Sequence, residues 1–168
     1  MDTLSIRRAQ PTDATKIIDG IQLVCEEGGA FFTTQFVPTP QWEAVLYRPQ
    51  TVPDHTLLVA EINGIFCGSV NILPGPKDTL FPHVANLGIF VLPSYRNRGI
   101  GHQLMKKAIA CAKKTGKIEK ISLEVFETNT IAIHLYKSFG FVHEGRKQRQ
   151  IYWQNNYIDM LYMAYFLP

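Results

Sequence analysis

A chain of 168 residues is long enough for one domain with a full core and too short for two, so we expect a single domain over residues 1–168. Its 46% hydrophobic and 18% charged residues exclude a disordered chain. The net charge of +3 is much smaller than that expected of a nucleic-acid binder with a clustered basic surface. Three cysteines without Cys-x-x-Cys spacing argue against a disulfide framework and a zinc site. No apolar segment has the length of a signal peptide or a membrane span. We therefore expect a cytoplasmic protein that binds no metal, nucleic acid or membrane.

The first half of the chain predicts a strand, two helices and a hairpin. Alternating apolar residues indicate strands, and apolar residues spaced at three and four indicate helices. Asn63-Gly64 is the strongest short signal for a hairpin turn and separates two strand-like runs. The predicted elements are strand 4–9, helix 13–26, helix 40–47, and strands 57–62 and 65–73.

The second half alternates between strands and helices and then ends in two strands. Gly116 and Gly140 follow the periodic segments at the positions where helices end. The predicted elements are strand 84–92, helix 101–115, strand 118–126, helix 130–137, and strands 141–145 and 157–166. The early hairpin interrupts a regular strand–helix alternation. We therefore predict a mixed α+β fold, with a central mixed sheet of six or seven strands and about four helices on its two faces.

The junction between strand 84–92 and the following helix has the features of an anion site. It reads Arg96-Asn97-Arg98-Gly99-Ile100-Gly101. The first turn of a helix offers unpaired N–H groups and the positive end of the helix dipole. Glycines let the backbone approach a ligand, and Arg96 and Arg98 add positive charge. The junction predicts a phosphate or pyrophosphate ligand, and a tight turn without a ligand is the alternative.

Two common nucleotide motifs do not fit this junction. A P-loop requires Gly-Lys-Ser or Gly-Lys-Thr, which is missing at the required spacing. In a dinucleotide-binding fingerprint the third glycine would fall on Leu104. The junction is therefore neither of these two motifs, and a tight turn without a ligand stays open on the glycines alone.

A second motif lies about 30 residues further on and makes the family recognisable. The residues in question are Asn129, Ala132, Tyr136, Gly140 and Phe141. Together with the arginine-glycine junction, they resemble the signature of the GCN5-related N-acetyltransferases (GNAT), in matching order and over essentially the whole chain. The resemblance implies the GNAT fold and acetyl-CoA as co-substrate.

The resemblance also implies which residues bind acetyl-CoA. The backbone N–H groups of Arg98, Gly99, Ile100 and Gly101 correspond to the donors that hold the pyrophosphate, with Arg96 as a charge partner. Phe90 and Val91 correspond to the strand that pairs with the pantetheine arm. Asn129 corresponds to an asparagine that hydrogen-bonds the same arm.

Direct attack of a neutral amine on the thioester requires an acid for the departing thiolate and a base for the ammonium. Tyr136 is the predicted acid, since a phenol is a suitable proton donor to an alkyl thiolate. Glu124 is one candidate base and resembles the strand glutamate of ribosomal-protein alanine N-acetyltransferases. A base acting through ordered water and His83 are the alternatives.

The predicted function is transfer of an acetyl group from acetyl-CoA to a primary amine of a small molecule or of a protein N-terminus. The acceptor is expected to contact residues 27–54 and the final hairpin, including Arg149, Tyr152 and Trp153. A catalytically silent acyl-CoA-binding module is the alternative, and an acyl group longer than acetyl and a homodimer both remain open.

Overall fold

The computed structural model describes residues 2–168, and all bounds below refer to that range. The strands are β1 Leu4–Arg8, β2 Thr56–Ile62, β3 Ile65–Pro74, β4 Val84–Val91, β5 Lys120–Phe126, β6 Val142–Trp153 and β7 Asn156–Phe166. The helices are α1 Ala14–Glu27, α2 Pro40–Tyr47, α3 Ile100–Thr115 and α4 Thr130–Ser138. The element order agrees with the one predicted from the sequence.

The strands form one seven-stranded sheet in the order β1-β2-β3-β4-β5-β7-β6. Neighbouring strands run antiparallel except β4 and β5, which run parallel. Asn63 and Gly64 both have positive φ, of 53° and 80°, as the turn between β2 and β3 requires. The predicted mixed α+β fold with four helices is confirmed.

Apolar side chains alternate along the strands and pack into separate clusters on the two faces of the sheet. On the face covered by α3 and α4, which we call the α3 face, β4 contributes Leu87 and β5 contributes Leu123. On the opposite face, which we call the α1 face, α1 and α2 pack against β2, β3 and Phe90 of β4. A small third cluster lies at the other half of the sheet and contains Phe126, Ile158 and Met160. The helices therefore sandwich the β2–β4 half of the sheet.

The predicted strand 141–145 is too short, because β6 continues to Trp153. It lies at the edge of the sheet and is exposed over most of its length, so its residues need not alternate between apolar and polar. Its register shifts between Lys147 and Ile151. Asp159 of β7 holds this bulge, since its carboxylate accepts the Arg149 N–H at 2.8 Å and pairs with Arg146. A polar, bulged edge strand gives no periodic signal in sequence.

A buried carboxylate ties β1 to the start of α1. Asp13 is 3% exposed and accepts hydrogen bonds from the Arg7 guanidinium at 2.7 and 3.0 Å and from the Gln10 N–H at 2.8 Å. Arg7 also binds Glu61 of β2 at 2.6 Å. The hydrogen bond from Arg7 holds the pKa of Asp13 below its ordinary value.

We predict that Asp13→Ala lowers the free energy of unfolding by about 2 kcal/mol, because Arg7 and the Gln10 N–H lose their acceptor. A carboxylate with a depressed pKa stabilises the fold above its unfolded pKa and loses this effect as pH falls through its folded pKa. The gap between wild type and variant should therefore narrow below about pH 4. Urea unfolding at pH 7 and pH 3 measures this difference in the free energy of unfolding. Asp19→Ala, on the exposed side of α1, is the control, and equal losses in both variants would contradict the prediction.

Candidate active site

The junction between β4 and α3 forms a tight turn that leaves the start of α3 without a side-chain cap. A short 3-10 helix at Pro93–Tyr95 follows the strand, and Asn97 and Gly99 then adopt left-handed conformations with φ of 62° and 73°. Gly99 is the N-cap of α3, and no side chain caps it. The first turn of α3 carries no acidic residue. The N–H groups at this end are therefore available to an anion.

The parallel strands β4 and β5 separate directly beside this turn. Their pairing covers only Val84–Asn86 with Lys120–Ser122, and the remainder of β4 has no partner on this side. On the other side β4 stays paired with β3 as far as Val91. Leu92 N–H donates to the Cys67 carbonyl of β3 at 2.9 Å, so by alternation the backbone of Val91 faces the opening and that of Phe90 faces β3. The opening exposes backbone donors and acceptors with which an extended ligand can pair.

The two arginines of the turn contact carboxylates in this structure. Arg96 forms a two-point ion pair with Glu27, at 2.7 and 2.6 Å, and its Nε donates to the Val91 carbonyl at 3.0 Å. The pair holds the pKa of Glu27 below its ordinary value. Arg98 is half exposed, lies 3.7 Å from Asp2 and stacks over Tyr95. Arg96 thus connects the turn to the end of α1, and the predicted contact of either arginine with pyrophosphate stays a prediction.

Helix α4 begins directly after Asn129 and carries Tyr136 into the core of the α3 face. The Asn129 side chain caps α4 by accepting the Ala132 N–H at 3.3 Å. Tyr136 is 7% exposed, and its ring packs against Phe141 at 5.8 Å between centroids. Burial raises the pKa of Tyr136 to about 12. This phenol therefore stays protonated at neutral pH.

Direct contacts join α4 to the first turn of α3. Leu135 lies beside Gly101, where an added Cβ would be 3.5 Å from its side chain. The rings of Phe139 and His102 lie 4.7 Å apart. The structure thus brings the two motifs together around one end of the sheet, although about 30 residues separate them in sequence.

Glu124 lies on the opposite side of the sheet from Tyr136. Its neighbours Leu123 and Val125 point into the core of the α3 face, so Glu124 points to the α1 face, where it is exposed. The phenol and the carboxylate therefore lie on opposite faces of the sheet.

His83 does not join this arrangement. It precedes β4, and its carbonyl accepts the N–H groups of Glu119 and Lys120 at the closed end of the strand pair. The eight residues of β4 span about 26 Å, which separates His83 from the turn. A cavity of about 560 Å³ lies beside His83 and has no contact with the turn.

Sequence reasoning missed two contacts that shape the acceptor side. Glu27, the partner of Arg96, lies 69 residues away in sequence and carries no motif. Gly28 follows with φ of 75°, and a Cβ there would lie 2.2 Å from Cζ2 of Trp153. The end of α1 therefore packs closely against the β6–β7 hairpin, and the predicted contact of this region with the acceptor stays a prediction.

The residues of the site suit acetyl-CoA, since the uncapped helix start can bind its pyrophosphate and the open edge of β4 can pair with its pantetheine arm. Within residues 2–168, no group of three or more His, Cys, Asp or Glu side chains could hold a metal ion. Every helix in that range is too short or too polar to traverse a bilayer.

Comparison with known proteins agrees with this geometry. The model of the acetyltransferase (GNAT) family matches residues 21–141. The L-amino acid N-acetyltransferase AaaT of Escherichia coli is 30% identical over 166 residues, which cover 98% of each chain. A GNAT-family acetyltransferase from Streptococcus pneumoniae superposes with a TM-score of 0.86 at 29% identity, covering 98% of this chain and all of the other.

A third protein shares the fold and was solved with a ligand. The putative acetyltransferase yncA from Salmonella typhimurium, solved with its cofactor acetyl-CoA, shares the fold with a TM-score of 0.87 at 20% identity, over 99% of this chain and 95% of its own. The family model, the full-length relative and the shared fold agree. The chain therefore belongs to the acetyltransferase (GNAT) family of acetyl-CoA-dependent N-acetyltransferases.

Proposed function

We propose that this protein acetylates the primary amine of a small molecule by direct attack on acetyl-CoA in the opening between β4 and β5. The observation that carries the proposal is the end of β4–β5 pairing at Asn86 and Ser122. Beyond it lies the anion turn, with Tyr136 and Glu124 on opposite faces of the sheet.

The turn and the open strand edge bind and orient the donor. The N–H groups of Arg98, Gly99, Ile100 and Gly101 hold the pyrophosphate. The Val91 backbone and the Asn129 side chain position the pantetheine arm, whereas the Phe90 backbone is paired with β3 and does not contribute. Acetyl-CoA supplies an acyl group that is activated as a thioester. Fixing it next to the acceptor converts a bimolecular encounter into an oriented reaction within one site.

Tyr136 supplies a proton to the departing sulfur. With a pKa of about 12 the phenol is fully protonated at neutral pH. A thiol has a pKa of about 8.5, so transfer of the proton alone would be uphill. The phenol therefore gives its proton to the sulfur in concert with gaining one from the amine nitrogen, which becomes acidic as the C–N bond forms.

Glu124 removes a proton from the incoming ammonium, directly or through an ordered water. Its carboxylate is exposed on the α1 face and reaches solvent. Ser122 and Asn86, paired at the point where the strands separate, lie on the same face. His83 lies at the closed end of the strand pair and Glu124 beyond the point where the strands separate, which favours Glu124 or water over this histidine.

The three cysteines do not support an acyl-enzyme intermediate. Burial raises the pKa of Cys25 and Cys67, which disfavours the nucleophilic thiolate. Cys111 lies about 16 Å along α3 from the turn. Direct attack by the amine is the route that the described residues support.

The similarity to AaaT supports a small amine as the acceptor. That relative acts on L-amino acids and matches this chain over 98% of both lengths. An L-amino acid is therefore the first acceptor class to test.

We predict that Gly99→Ala weakens acetyl-CoA binding about tenfold. A Cβ at φ of 73° strains the turn by about 1 kcal/mol and shifts the N–H groups that face the ligand. Gly116→Ala is the matched control, since Gly116 ends the same helix with φ of 64° and equally open surroundings. Thermal unfolding with and without acetyl-CoA measures both effects. Both variants should lose similar stability, and equal stabilisation by acetyl-CoA in the two would contradict binding at this turn.

We predict that Tyr136→Phe lowers kcat about 100-fold while acetyl-CoA affinity is retained, because only the proton donor is lost. Tyr165→Phe is the matched control, as that ring also packs on Phe141, at 5.6 Å. Thiol release over a panel of amines measures the rates of these variants.

We predict that Glu124→Gln also lowers kcat about 100-fold in the same assay, because the base is lost. A change of less than about twofold would show that water, and not Glu124, removes the proton from the ammonium. Acetyl-CoA binding without amine-dependent thiol release would identify a silent binding module.

A further inference from the structure

Three polar side chains form a row across the α1 face of the sheet, on the side of the opening where the acceptor must approach. Glu124 of β5 lies directly opposite Tyr162 of β7. Lys147 of β6 pairs with Met160, two residues from Tyr162 on the same face. The row therefore runs from carboxylate to phenol to ammonium, and we call it the Glu124–Lys147 row.

The Lys147 side chain of this row contacts the ring of Tyr162. The Lys147 ammonium lies 5.1 Å from the centroid of the Tyr162 ring. The Tyr162 hydroxyl, and to a smaller extent the Glu124 carboxylate, raise the pKa of Lys147. Lys147 is thus a charged group held near Glu124 by an aromatic ring between them.

The row is accessible because the helices of the α1 face cover only the other half of the sheet. Helices α1 and α2 pack against β2, β3 and Phe90. Glu124 and Lys147 are exposed, and Tyr162 is half-buried. All three side chains are therefore open to a ligand on the α1 face.

Lys147 has no carboxylate partner within 4.0 Å among residues 2–168, and neither has the guanidinium of Arg149, which lies over the Tyr157 ring. Arg146 binds Glu127 and Asp159, and Lys120 binds Glu144 at 2.7 Å. These pairs fix the hairpin, whereas the ammonium of Lys147 is left to bind an anionic group. The bulge held by Asp159 begins directly after Lys147 and fixes its place on the edge strand.

We infer that Lys147 binds the carboxylate of the acceptor, and that the acceptor is a zwitterionic α-amino acid. This inference rests on the proposed function. An α-amino acid carries an ammonium and a carboxylate on one carbon, which matches a face with Glu124 on one side of Tyr162 and Lys147 on the other. The Tyr162 hydroxyl provides a second donor to the carboxylate. A polyamine would place a second cation next to Lys147 and is disfavoured by like-charge repulsion.

Acceptors that differ only in the carboxylate test this role. Each L-amino acid that the wild type acetylates is compared with its own α-carboxamide, starting with L-methionine and L-methioninamide. The variants are Lys147→Met, which keeps length and removes charge, and Lys147→Arg, which keeps the charge. Lys114→Met removes an exposed lysine near the end of α3 and is the control. Each variant-to-wild-type ratio is taken within one acceptor, so the different basicities of the two amines cancel.

For Lys147→Met we expect KM for the amino acid to rise roughly 10- to 100-fold with kcat within about twofold, as for loss of a charge-assisted hydrogen bond. KM for the carboxamide should stay within about twofold, and Lys147→Arg should restore most of the affinity for the amino acid. Equal changes for both acceptors, no change for either, or a wild-type preference for polyamines would overturn the inference. Absence of any amine-dependent thiol release by the wild type would instead overturn the proposed function.

Discussion

The early end of pairing between β4 and β5 is the constraint on which the rest of this structure depends. Two parallel strands in the middle of a sheet normally satisfy each other's backbone groups along their whole length. Here only three residue pairs do so, and the strands then diverge. The divergence leaves backbone donors and acceptors in the centre of the protein that need a partner, and an extended ligand arm can supply one.

Packing on each side of the opening holds the two halves of the sheet apart. β4 remains with β3, and α3 packs against β2, β3 and β4. β5 is paired along its full length with β7, which in turn pairs with β6. Each half of the sheet therefore has its own ladder of hydrogen bonds. The opening costs little stability because β4 stays paired with β3 and β5 stays paired with β7. The turn at Gly99 completes the opening by pointing a helix N-terminus at it.

Much of this arrangement could be predicted from the sequence, because it depends on local chemistry. Gly99 must be a glycine where φ is 73°, Asn129 caps a helix, and Asn63-Gly64 forms a hairpin turn. The order of the elements and the GNAT family follow from such signals. The point where β4 and β5 separate depends on the pairing register of two strands that lie some 30 residues apart in sequence. The apolar residues of neither strand indicate where the pairing ends. Lys147 gave no signal either, since the charged segment that contains it reads as a solvated loop.

Two successive residues at the end of α1 hold different sides of the site. Glu27 binds Arg96 of the donor turn, and Gly28 lies against Trp153 of the acceptor-side hairpin. A single peptide bond therefore joins the turn that we propose to bind acetyl-CoA to the hairpin that we propose to face the amine. The end of α1 can therefore couple the binding of the two substrates. If acetyl-CoA changes the affinity for the amine through this segment, the amine must change the affinity for acetyl-CoA by the same factor.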